Sequence, residues 1–259
     1  MSQTIRHPEI IDIVRRDGKV TVEGLSAYFG VTSQTIRRDL ADLAEAGRLE
    51  RVHGGAVLPS GTSNIGYEER RHINAEAKAA IAAICAKAIP DESSVFLNIG
   101  TTTEAVARHM LSHRNMLVVT NNMNVAQILV DNPDCEVVVT GGALRRSDGG
   151  LLGDVTTTSI RRFKFDIAVI GCSALDEDGD LLDFDMQEVG VSRALLQHGR
   201  RVFLVADVSK FRRKAPVRMA SISDLHAVFT DRRPPDRFAM RCRDESVALF
   251  SAKMDPVSD

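Results

Sequence analysis

TSQTIRRDL, at residues 32–40, is the stretch that decides the fold of the first part of this chain. Its apolar side chains recur at helical spacing, which predicts a helix with one buried face. Thr32 or Ser33 can cap that helix, because a side-chain hydroxyl accepts a hydrogen bond from a first-turn amide. Residues 21–30 predict a shorter helix that ends at Gly30, and two helices joined by so tight a turn are typical of a helix-turn-helix.

The amino-terminal end of the second helix is polar, and the helical spacing leaves it exposed. In helix-turn-helix proteins this end enters the major groove, where Gln pairs with adenine and Arg with guanine, while hydroxyls and further Arg side chains contact phosphate. We therefore predict that double-stranded DNA is bound by Thr32, Ser33, Gln34, Thr35, Arg37, Arg38, Arg51 and His53.

The charge balance gives this prediction no further support. Residues 1–58 hold 8 Lys+Arg and 8 Asp+Glu, so no overall basic field points to nucleic acid. Any positive surface is local, at Arg37, Arg38 and Arg51. The alternative interpretation is a small helical subdomain whose Arg and Gln side chains are only solvated.

A longer set of residues carries a family resemblance: Arg6, Ile10, Val14, Thr32, residues 35–40 and His53-Gly54-Gly55-Ala56. In order and spacing they resemble the signature of the DeoR family of bacterial transcription regulators. The resemblance implies that helices near residues 6–16 and 22–29 support the DNA-reading helix, and that residues 49–58 form a wing. It also implies that Asp39 supports this surface by orienting one of the two arginines before it.

Size and composition exclude several classes of protein. A chain of 259 residues with 44% hydrophobic content can bury a substantial core, and its net charge of −2 says little about partners. No stretch is apolar enough for a signal core or a bilayer span, so we expect a soluble cytoplasmic protein with no membrane partner. Its cysteines are widely spaced, which excludes a zinc ribbon or a redox pair and predicts reduced thiols. They are Cys85, Cys135, Cys172 and Cys242.

No sequence pattern for metal, nucleotide or hydrolytic chemistry is present. The seven histidines form no metal-ligand spacing with cysteine or carboxylate, no Gly-x-Gly-x-x-Gly follows a strand, and no nucleophile elbow occurs. Residues 176–180 superficially resemble a calcium loop but lack its distal glutamate, so we predict a solvated hairpin turn there. We therefore predict no metal, no cofactor and no catalytic residue.

Turn-forming residues divide the chain at residues 59–64. We predict a winged helix-turn-helix at residues 1–58, a linker at residues 59–74 and an α/β domain at residues 75–251. Residues 68–88 predict one helix that opens the second domain. Six apolar runs then alternate with helical patterns, which predicts a mainly parallel sheet covered on both faces. The strands are predicted at residues 94–98, 116–120, 136–140, 166–171, 201–206 and 227–230, and the helices at residues 102–111, 122–130 and 186–199.

Polar residues and glycines recur where the predicted strands end. In open α/β sheets ligands lie beyond the carboxyl ends of the strands, and the three hydroxyls after Gly100 stand at a helix amino terminus that suits phosphate. An ordinary capping turn is the alternative for this segment alone, but several strand ends on one edge favour a small phosphorylated ligand. We predict that this ligand is bound by Asn98, Gly100, Thr101, Thr102, Thr103, Asn121, Asn122, Gly141, Gly142, Arg145, Asp183, Asp185, Glu188 and Lys210.

Charged residues at this edge have several candidate roles. Arg145 or Arg146 can clamp a phosphate with two hydrogen bonds. The carboxylates and Lys210 can bind sugar hydroxyls or, in an alternative interpretation, supply the acid and base of an isomerase. Asp183 and Asp185 can instead be helix caps.

The resemblance to the DeoR family continues through the second domain. It implies a fold similar to that of a sugar-phosphate isomerase, used as a sensor. One departure is Ser192 before Arg193, where many relatives carry lysine, so a cation near the ligand is absent or is supplied by Lys210. Five segments most resemble the members that control glycerol metabolism, at residues 100–107, 122–126, 146–150, 181–185 and 234–235.

This resemblance implies a repressor of glycerol and glycerol-3-phosphate catabolism genes that glycerol 3-phosphate releases from operator DNA. It also implies a homodimer or homotetramer, which would match palindromic half-sites. Three alternatives stay open: a repressor that responds to another sugar phosphate, a sugar-phosphate isomerase with an appended helical domain, and an adaptor that uses its first domain for protein contacts.

Overall fold

The structure is a computed structural model, and it describes residues 3–17, 19–57 and 64–253. The chain divides into two compact units, Met1–Ile73 and Asn74–Asp259. Each unit has hydrophobic core of its own. The end of the first domain predicted at residue 58 lies outside the described residues, as does most of the turn-rich segment that follows it.

The first unit is a winged helix-turn-helix. Its helices are α1 (Gln3–Asp17), α2 (Val22–Phe29), α3 (Ser33–Glu45) and α4 (Tyr67–His72). Its strands are β1 (Lys19–Thr21), β2 (Glu50–Val52) and β3 (Gly55–Val57), which form an antiparallel sheet in the order β1-β3-β2. Helices α2 and α3 confirm the predicted helix pair.

The core of the first unit lies between its first three helices and the small sheet. Gly55 is required there, because a Cβ at this position would lie 1.8 Å from the carbonyl oxygen of Val20. The close approach of β3 to β1 therefore explains one glycine of the wing motif. The side chains with almost no exposed surface include Ile10, Val14, Leu25, Ile36, Leu40 and Ala56.

A seven-stranded sheet forms the centre of the second unit. Its strands are β4 (Ser94–Leu97), β5 (Met116–Thr120), β6 (Cys135–Val139), β9 (Phe165–Ile170), β12 (Gly199–Val205), β14 (Ala227–Thr230) and β15 (Ala248–Ser251). Their order is β15-β14-β12-β9-β4-β5-β6, and every neighbouring pair is parallel. The direction of chain progression reverses between β4 and β9, since β5 and β6 lie on one side of β4 and the later strands on the other.

Helices cover both faces of this sheet. One face packs against α5 (Ala75–Lys87), α6 (Thr101–His109) and α7 (Met123–Leu129). The other face packs against α8 (Asp154–Ile160), α9 (Met186–His198) and α10 (Asp236–Asp244). The same face carries a small antiparallel sheet of β10 (Ala174–Leu175), β11 (Asp180–Asp183) and β13 (Val217–Ser221). A two-stranded arm, β7 (Ala143–Arg145) and β8 (Gly150–Leu152), follows β6.

The predicted α/β class is confirmed, and the helix predicted over residues 68–88 is wrong. Two helices, α4 and α5, occupy that range and are separated at Ile73 and Asn74. Asn74 has a φ of 52°, which a continuous right-handed helix does not permit. The patterns also missed β15, the arm, α8 and α10. Helix α8 has the sequence DVTTTSI, whose β-branched residues are poor helix formers, and α10 is rich in charge.

Several smaller features bear on the excluded chemistries. Residues 176–180 form the turn between β10 and β11, where Asp176 Oδ1 accepts a hydrogen bond from the Asp180 amide at 2.9 Å, so the predicted hairpin turn is confirmed.

Burial raises the pKa of Cys172 to about 12 and that of Cys242 to about 11. Within the described residues, no helix has the length and apolarity needed to cross a membrane, and no three His, Cys, Asp or Glu side chains are grouped to hold a metal ion.

Candidate nucleic-acid interface and effector site

The amino-terminal half of α3 presents an exposed polar face. Gln34, Arg37 and Arg38 are exposed, and their spacing of three and four residues places them on one side of the helix. Ile36 and Leu40 are buried and hold the helix to the core. Two guanidinium groups and one amide are therefore presented to solvent in a form that suits base edges and phosphates.

Thr32 caps α3, which selects one of the two predicted alternatives. Its Oγ1 accepts a hydrogen bond from the Thr35 amide at 3.2 Å and lies 3.0 Å from the Thr35 hydroxyl. Ser33 and Thr35 are partly exposed beside it. Thr32 and Thr35 therefore stabilise the start of the helix in addition to lying at the predicted interface.

A buried ion pair holds α3 to α1. Arg6 donates from Nε to Asp39 Oδ2 at 2.7 Å and from Nη2 to Asp39 Oδ1 at 3.1 Å, and both side chains are buried. The prediction that Asp39 orients Arg37 or Arg38 is wrong, because both carboxylate oxygens bind Arg6. The pair explains why residues 33 positions apart belong to one sequence signature.

The wing carries two further predicted contacts, Arg51 and His53, and both are exposed. Between β2 and β3, Gly54 has a φ of 72°, which glycine adopts without strain. Its carbonyl accepts a hydrogen bond from the Val22 amide at 2.7 Å. That bond fixes the tip of the wing to the start of α2.

Most of the predicted effector residues follow strands of the central sheet at its carboxyl edge. Four do not: Arg145 lies on the arm, Asp183 ends β11, and Asp185 and Glu188 lie at the start of α9. Open α/β sheets bind ligands at the point where strand order reverses, which here lies between β4 and β9. Asn98, directly after β4, is buried and donates from Nδ2 to the Ser192 hydroxyl of α9 at 3.0 Å. The residue that departs from the family pattern therefore places a hydroxyl against this edge.

The first turn of α6 is the candidate phosphate-binding segment. Gly100 precedes it with a φ of 144°, and Thr103 Oγ1 donates to the Gly100 carbonyl at 2.7 Å. Thr102 and Thr103 are buried, and Thr101 is partly exposed. The N-cap residue is Gly100, which has no side chain to cap the helix. The first-turn amides and the helix dipole at this end suit an anion.

Glu104 forms a buried network at this edge that the sequence pattern did not reveal. Its Oε1 accepts hydrogen bonds from Asn122 Nδ2 at 3.3 Å and from Asn124 Nδ2 at 3.1 Å. Asn122 also caps α7, since its Oδ1 accepts from the Asn124 amide at 2.9 Å. An acidic residue in the first turn of a helix ordinarily indicates only a favourable dipole interaction, so the tertiary contact was needed to identify it.

At two neighbouring strand ends a buried polar side-chain atom has no hydrogen-bond partner among the residues that the structure describes. Asn121 donates from Nδ2 to the Leu151 carbonyl at 3.2 Å, but its Oδ1 has no hydrogen-bond partner among the described residues. The same is true of Thr140 Oγ1, after β6. Unsatisfied buried polar atoms are uncommon in folded proteins and mark positions where water or a ligand binds.

Arg145, on the arm, is held by three carboxylates. It donates from Nε to Asp148 Oδ1 and from Nη1 to Asp185 Oδ2, each at 2.9 Å, and its Nη2 pairs with Asp148 and Glu188. Asp185 also caps α9 by accepting from the Gln187 amide at 2.8 Å, so the capping alternative is confirmed for Asp185. One predicted cation and two predicted carboxylates thus form a single cluster, which Asp148 completes.

The two predicted glycines have a packing role. A Cβ on Gly142 would lie 2.7 Å from the Leu152 carbonyl oxygen, so only glycine fits against the arm. A Cβ on Gly141 would lie 2.9 Å from Val155 Cγ1 of α8, and the Gly141 carbonyl accepts a hydrogen bond from Thr156 Oγ1 at 2.7 Å. Packing among the arm, α8 and the end of β6 therefore accounts for both residues without a ligand.

Asp183 is buried at the end of β11. Its Oδ1 accepts hydrogen bonds from the Phe184 amide at 2.7 Å and from the Ser173 hydroxyl at 3.2 Å. Because Ser173 lies just beyond β9, this bond joins the small sheet to the carboxyl edge of the central sheet. The helix that follows is capped by Asp185, so the capping alternative is wrong for Asp183.

Asp207 and Lys210, after β12, form a second charged cluster. Asp207 is buried, and its Oδ1 accepts from the Ser209 amide at 3.1 Å and from Asn74 Nδ2 at 3.0 Å. Burial acts to raise the pKa of Asp207, but Lys210, the Ser209 hydroxyl and Lys78 outweigh burial and lower that pKa. Asp207 is therefore an ionised, buried carboxylate at neutral pH.

Comparisons with known proteins match both units. Residues 6–62 match the DeoR-like helix-turn-helix domain, and residues 73–232 match the DeoR C terminal sensor domain. The chain belongs to the DeoR family. It is therefore a DNA-binding transcription regulator, and its α/β unit is a sensor domain of that family.

Its relatives include proteins named as repressors. The chain is 46% identical to the glycerol-3-phosphate regulon repressor of Escherichia coli, over 91% of this chain and 93% of that protein. It is 45% identical to the protein of the same name in Haemophilus influenzae, over 89% of this chain and 90% of that protein. It is 36% identical to the transcriptional repressor CsqR of Escherichia coli, over 96% of each.

Solved structures give a weaker likeness. Ribose 5-phosphate isomerase A from Neisseria gonorrhoeae has a TM-score of 0.39 at 9% identity over 53% of each chain. A translation initiation factor eIF-2B from Pyrococcus horikoshii has a TM-score of 0.42 at 15% identity, over 60% of this chain and 62% of that chain. Values this low support no argument about chemistry.

Proposed function

We propose that this protein represses genes of glycerol and glycerol-3-phosphate catabolism and is released from their operator DNA by glycerol 3-phosphate. The observation that carries the proposal is the 46% identity to a glycerol-3-phosphate regulon repressor, over 93% of the length of that repressor. Because the proposed partner is DNA, the proposal places the protein in the cytoplasm.

The DNA-binding half of the proposal rests on the exposed start of α3 and on the wing. Gln34 suits adenine, and Arg37 or Arg38 suits guanine in a bidentate pair, so these residues are assigned to base readout. The hydroxyl side chains at the start of α3 and the two residues of the wing are assigned to the DNA backbone. They are Thr32, Ser33, Thr35, Arg51 and His53.

The effector half rests on the carboxyl edge of the central sheet. The phosphate is assigned to the first turn of α6, where the positive helix end and the hydroxyls of Thr101 and Thr102 favour an anion, while the Thr103 hydroxyl donates to the Gly100 carbonyl. A hydroxyl of the effector is assigned to Asn121 Oδ1, a buried acceptor with no partner among the described residues. Arg145 can reach a phosphate oxygen by exchanging one of its three carboxylate partners.

Release from DNA requires linkage between the two sites. Effector lowers DNA affinity only if it binds more tightly to a conformation that binds DNA weakly. We propose that the active species is a homodimer or homotetramer, because palindromic half-sites require at least two winged domains. Sedimentation that finds only monomer at working concentration would contradict this part of the proposal.

The test is binding of the purified protein to DNA from upstream of its own gene and of neighbouring glycerol-metabolism genes. Dissociation constants are measured at fixed salt with glycerol 3-phosphate, ribose 5-phosphate, fructose 6-phosphate, inorganic phosphate and glycerol. We expect sequence-specific binding that glycerol 3-phosphate alone weakens at least tenfold. If the protein binds none of the fragments with sequence specificity, the proposal that it is a repressor of these genes is contradicted.

A repressor that responds to another sugar phosphate is the second candidate. The chain is 36% identical to CsqR over 96% of the length of that protein, and the name of CsqR does not mention glycerol 3-phosphate. Release by a different phosphate of the panel would keep the DNA-binding half and replace the effector. Turnover of a pentose or hexose phosphate by the purified protein would instead support the isomerase alternative.

A further inference from the structure

Asn74 lies where the chain passes from one compact unit to the other, between α4 and α5. Its backbone is left-handed, with φ 52° and ψ 37°, while Ile73 before it is extended. Asparagine is one of the few residues with a side chain that adopt this conformation at low cost. The backbone at Ile73 and Asn74 therefore interrupts the right-handed helical path between α4 and α5.

The side chain of Asn74 does not perform the role usual at this position. Asn74 is the N-cap residue of α5, where an asparagine ordinarily accepts a hydrogen bond from a first-turn amide, yet it makes no such capping bond. Instead Nδ2 donates to Asp207 Oδ1 at 3.0 Å and to Ser209 Oγ at 3.1 Å. Its partners lie 133 and 135 residues away in sequence.

Those partners belong to the loop that carries Lys210, one of the candidate effector residues. Asp207 is buried there and interacts with the charge of Lys210 on the loop. It also interacts with Lys78, which is buried one turn into α5. One carboxylate is thus hydrogen-bonded to the N-cap residue of α5 and interacts electrostatically with Lys78 of that helix and with Lys210 of the candidate site.

We infer that Asn74 is the positioning residue through which an anionic effector at the carboxyl edge of the sheet changes the connection between α4 and α5. An anion that engages Lys210 competes with Asp207 for that cation, and Asp207 then redistributes its hydrogen bonds with Asn74 and Ser209. The inference rests on the proposed function, because it treats the loop of Asp207 and Lys210 as part of the effector site.

The decisive variant is Asn74→Gly. Glycine keeps the left-handed conformation without strain but removes both side-chain hydrogen bonds. The matched control is Asn115→Gly, because Asn115 is exposed, also has a φ of 52°, and lies before β5 away from this loop. Asn74→Asp is the second variant: it keeps the shape and tolerance of the position but cannot donate, and it adds repulsion toward Asp207.

Two quantities are measured for each full-length variant: the affinity for glycerol 3-phosphate without DNA, by calorimetry, and the ratio of DNA dissociation constants with and without saturating glycerol 3-phosphate. We expect both Asn74 variants to bind glycerol 3-phosphate within threefold of the unmodified protein, while the ratio falls at least fivefold toward one. Asn115→Gly is expected to leave both the affinity for glycerol 3-phosphate and the ratio unchanged. Thermal unfolding shows whether each variant is folded. If Asn74→Gly does not fold, the inference is tested with Asn74→Asp alone.

The results separate the inference from the proposed function. If the unmodified protein responds to glycerol 3-phosphate and both Asn74 variants respond equally, the inference is overturned and the proposed function stands. If the variants lose effector binding together with the response, Asn74 supports the site and does not couple it, which also overturns the inference. If no sugar phosphate changes the DNA affinity of the unmodified protein, the proposed function fails first and the inference fails with it.

Discussion

The two units of this protein build their functional surfaces in opposite ways. The candidate DNA-reading surface comes from one short segment, in which Gln34, Arg37 and Arg38 are exposed on a helix that buries its other face. The candidate effector site draws on residues from Asn98 to Lys210, which lie on or beyond the ends of separate strands and at the starts of the helices that follow them. The first surface is therefore visible in local spacing, whereas the second exists only after the sheet has formed.

The charges of the two regions differ in the same way. Arg37 and Arg38 are exposed on α3, as a surface that meets a polyanion requires. Arg145 is instead bound by Asp148, Asp185 and Glu188 within its own unit. An arginine in a strand-end loop thus indicates a binding group less reliably than one on an exposed helix, because the fold can provide carboxylates from distant segments.

The largest expected effect comes from removing the anchor beneath the DNA-reading helix. Asp39→Ala removes the carboxylate that binds the buried Arg6 guanidinium, so we expect the free energy of unfolding of the first unit to fall by about 3–5 kcal/mol. Both tyrosines, Tyr28 and Tyr67, lie in this unit, so tyrosine fluorescence during urea unfolding follows it alone. The control is Glu45→Ala, at the exposed end of α3.

A double variant separates the two possible causes of that loss. If the penalty comes from the buried charge of Arg6 in the absence of Asp39, replacing Arg6 and Asp39 together by Met and Leu restores most of the stability. Equal instability of the double and single variants would instead show that the ion pair itself stabilises the unit.

A smaller loss is expected at the exposed end of the same helix. Arg37→Ala and Arg38→Ala each remove about 1–3 kcal/mol of operator binding, or roughly 5- to 150-fold in affinity, if each arginine reads a base. Titration of a labelled operator fragment measures the loss, and Arg48→Ala, an exposed arginine just beyond α3, is the control. Unchanged operator affinity in both variants would move the interface away from this face.

The corresponding change in the second unit is Gly100→Ala. Gly100 has a φ of 144°, and a Cβ there would lie 3.3 Å from Thr103 Oγ1, so alanine strains the turn before α6 by roughly 1–3 kcal/mol. We expect glycerol 3-phosphate to be needed at about tenfold higher concentration for release, with DNA affinity unchanged in its absence.

Its control lies in the same unit. Gly190→Ala places a Cβ on α9 with no atom within 4 Å, so its response is expected to equal that of the unmodified protein. If Gly100→Ala also responds normally, the phosphate does not bind at the first turn of α6.

The smallest expected effect is a pH dependence that arises from Asp207. Burial raises the pKa of this carboxyl, but Lys210, the Ser209 hydroxyl and Lys78 outweigh burial and lower the pKa below the value of about 3.9 found in unfolded chains. The ionised carboxylate therefore stabilises the folded unit fully above about pH 3.9, and this contribution is lost as the pH falls through the lowered pKa.

The measurement is the free energy of unfolding from pH 6 down to the acid limit of the folded state, by far-ultraviolet circular dichroism. Asp207→Asn is expected to show a shallower decline below about pH 4 than the unmodified protein. Asp131→Asn, at an exposed aspartate, is the control. Equal slopes for all three proteins would mean that Asp207 is not stabilised in its ionised form.

Sequence periodicity was sufficient to predict the elements whose buried face repeats at regular spacing along one segment. The apolar spacing of Ile36, Leu40 and Leu43 predicted α3, and apolar runs predicted six of the seven central strands, because burial on a known face repeats along the chain. It failed at Asn74, where a single left-handed residue divides a continuous helical pattern. It also failed at β15 and α10, whose apolar patterns are short or interrupted by charge.

The candidate sites divide along the same line. The sequence by itself determined the helix pair, the α/β class and the strand ends at which polar groups collect, because these follow from local spacing and from the polarity of parallel sheets. Only the tertiary structure decided the partners: Asp39 with Arg6, Arg145 with three carboxylates, and Asn74 with Asp207. Hydrogen bonds and ion pairs depend on distances of about 3 Å between atoms that the fold brings together, and spacing along the chain does not encode those distances.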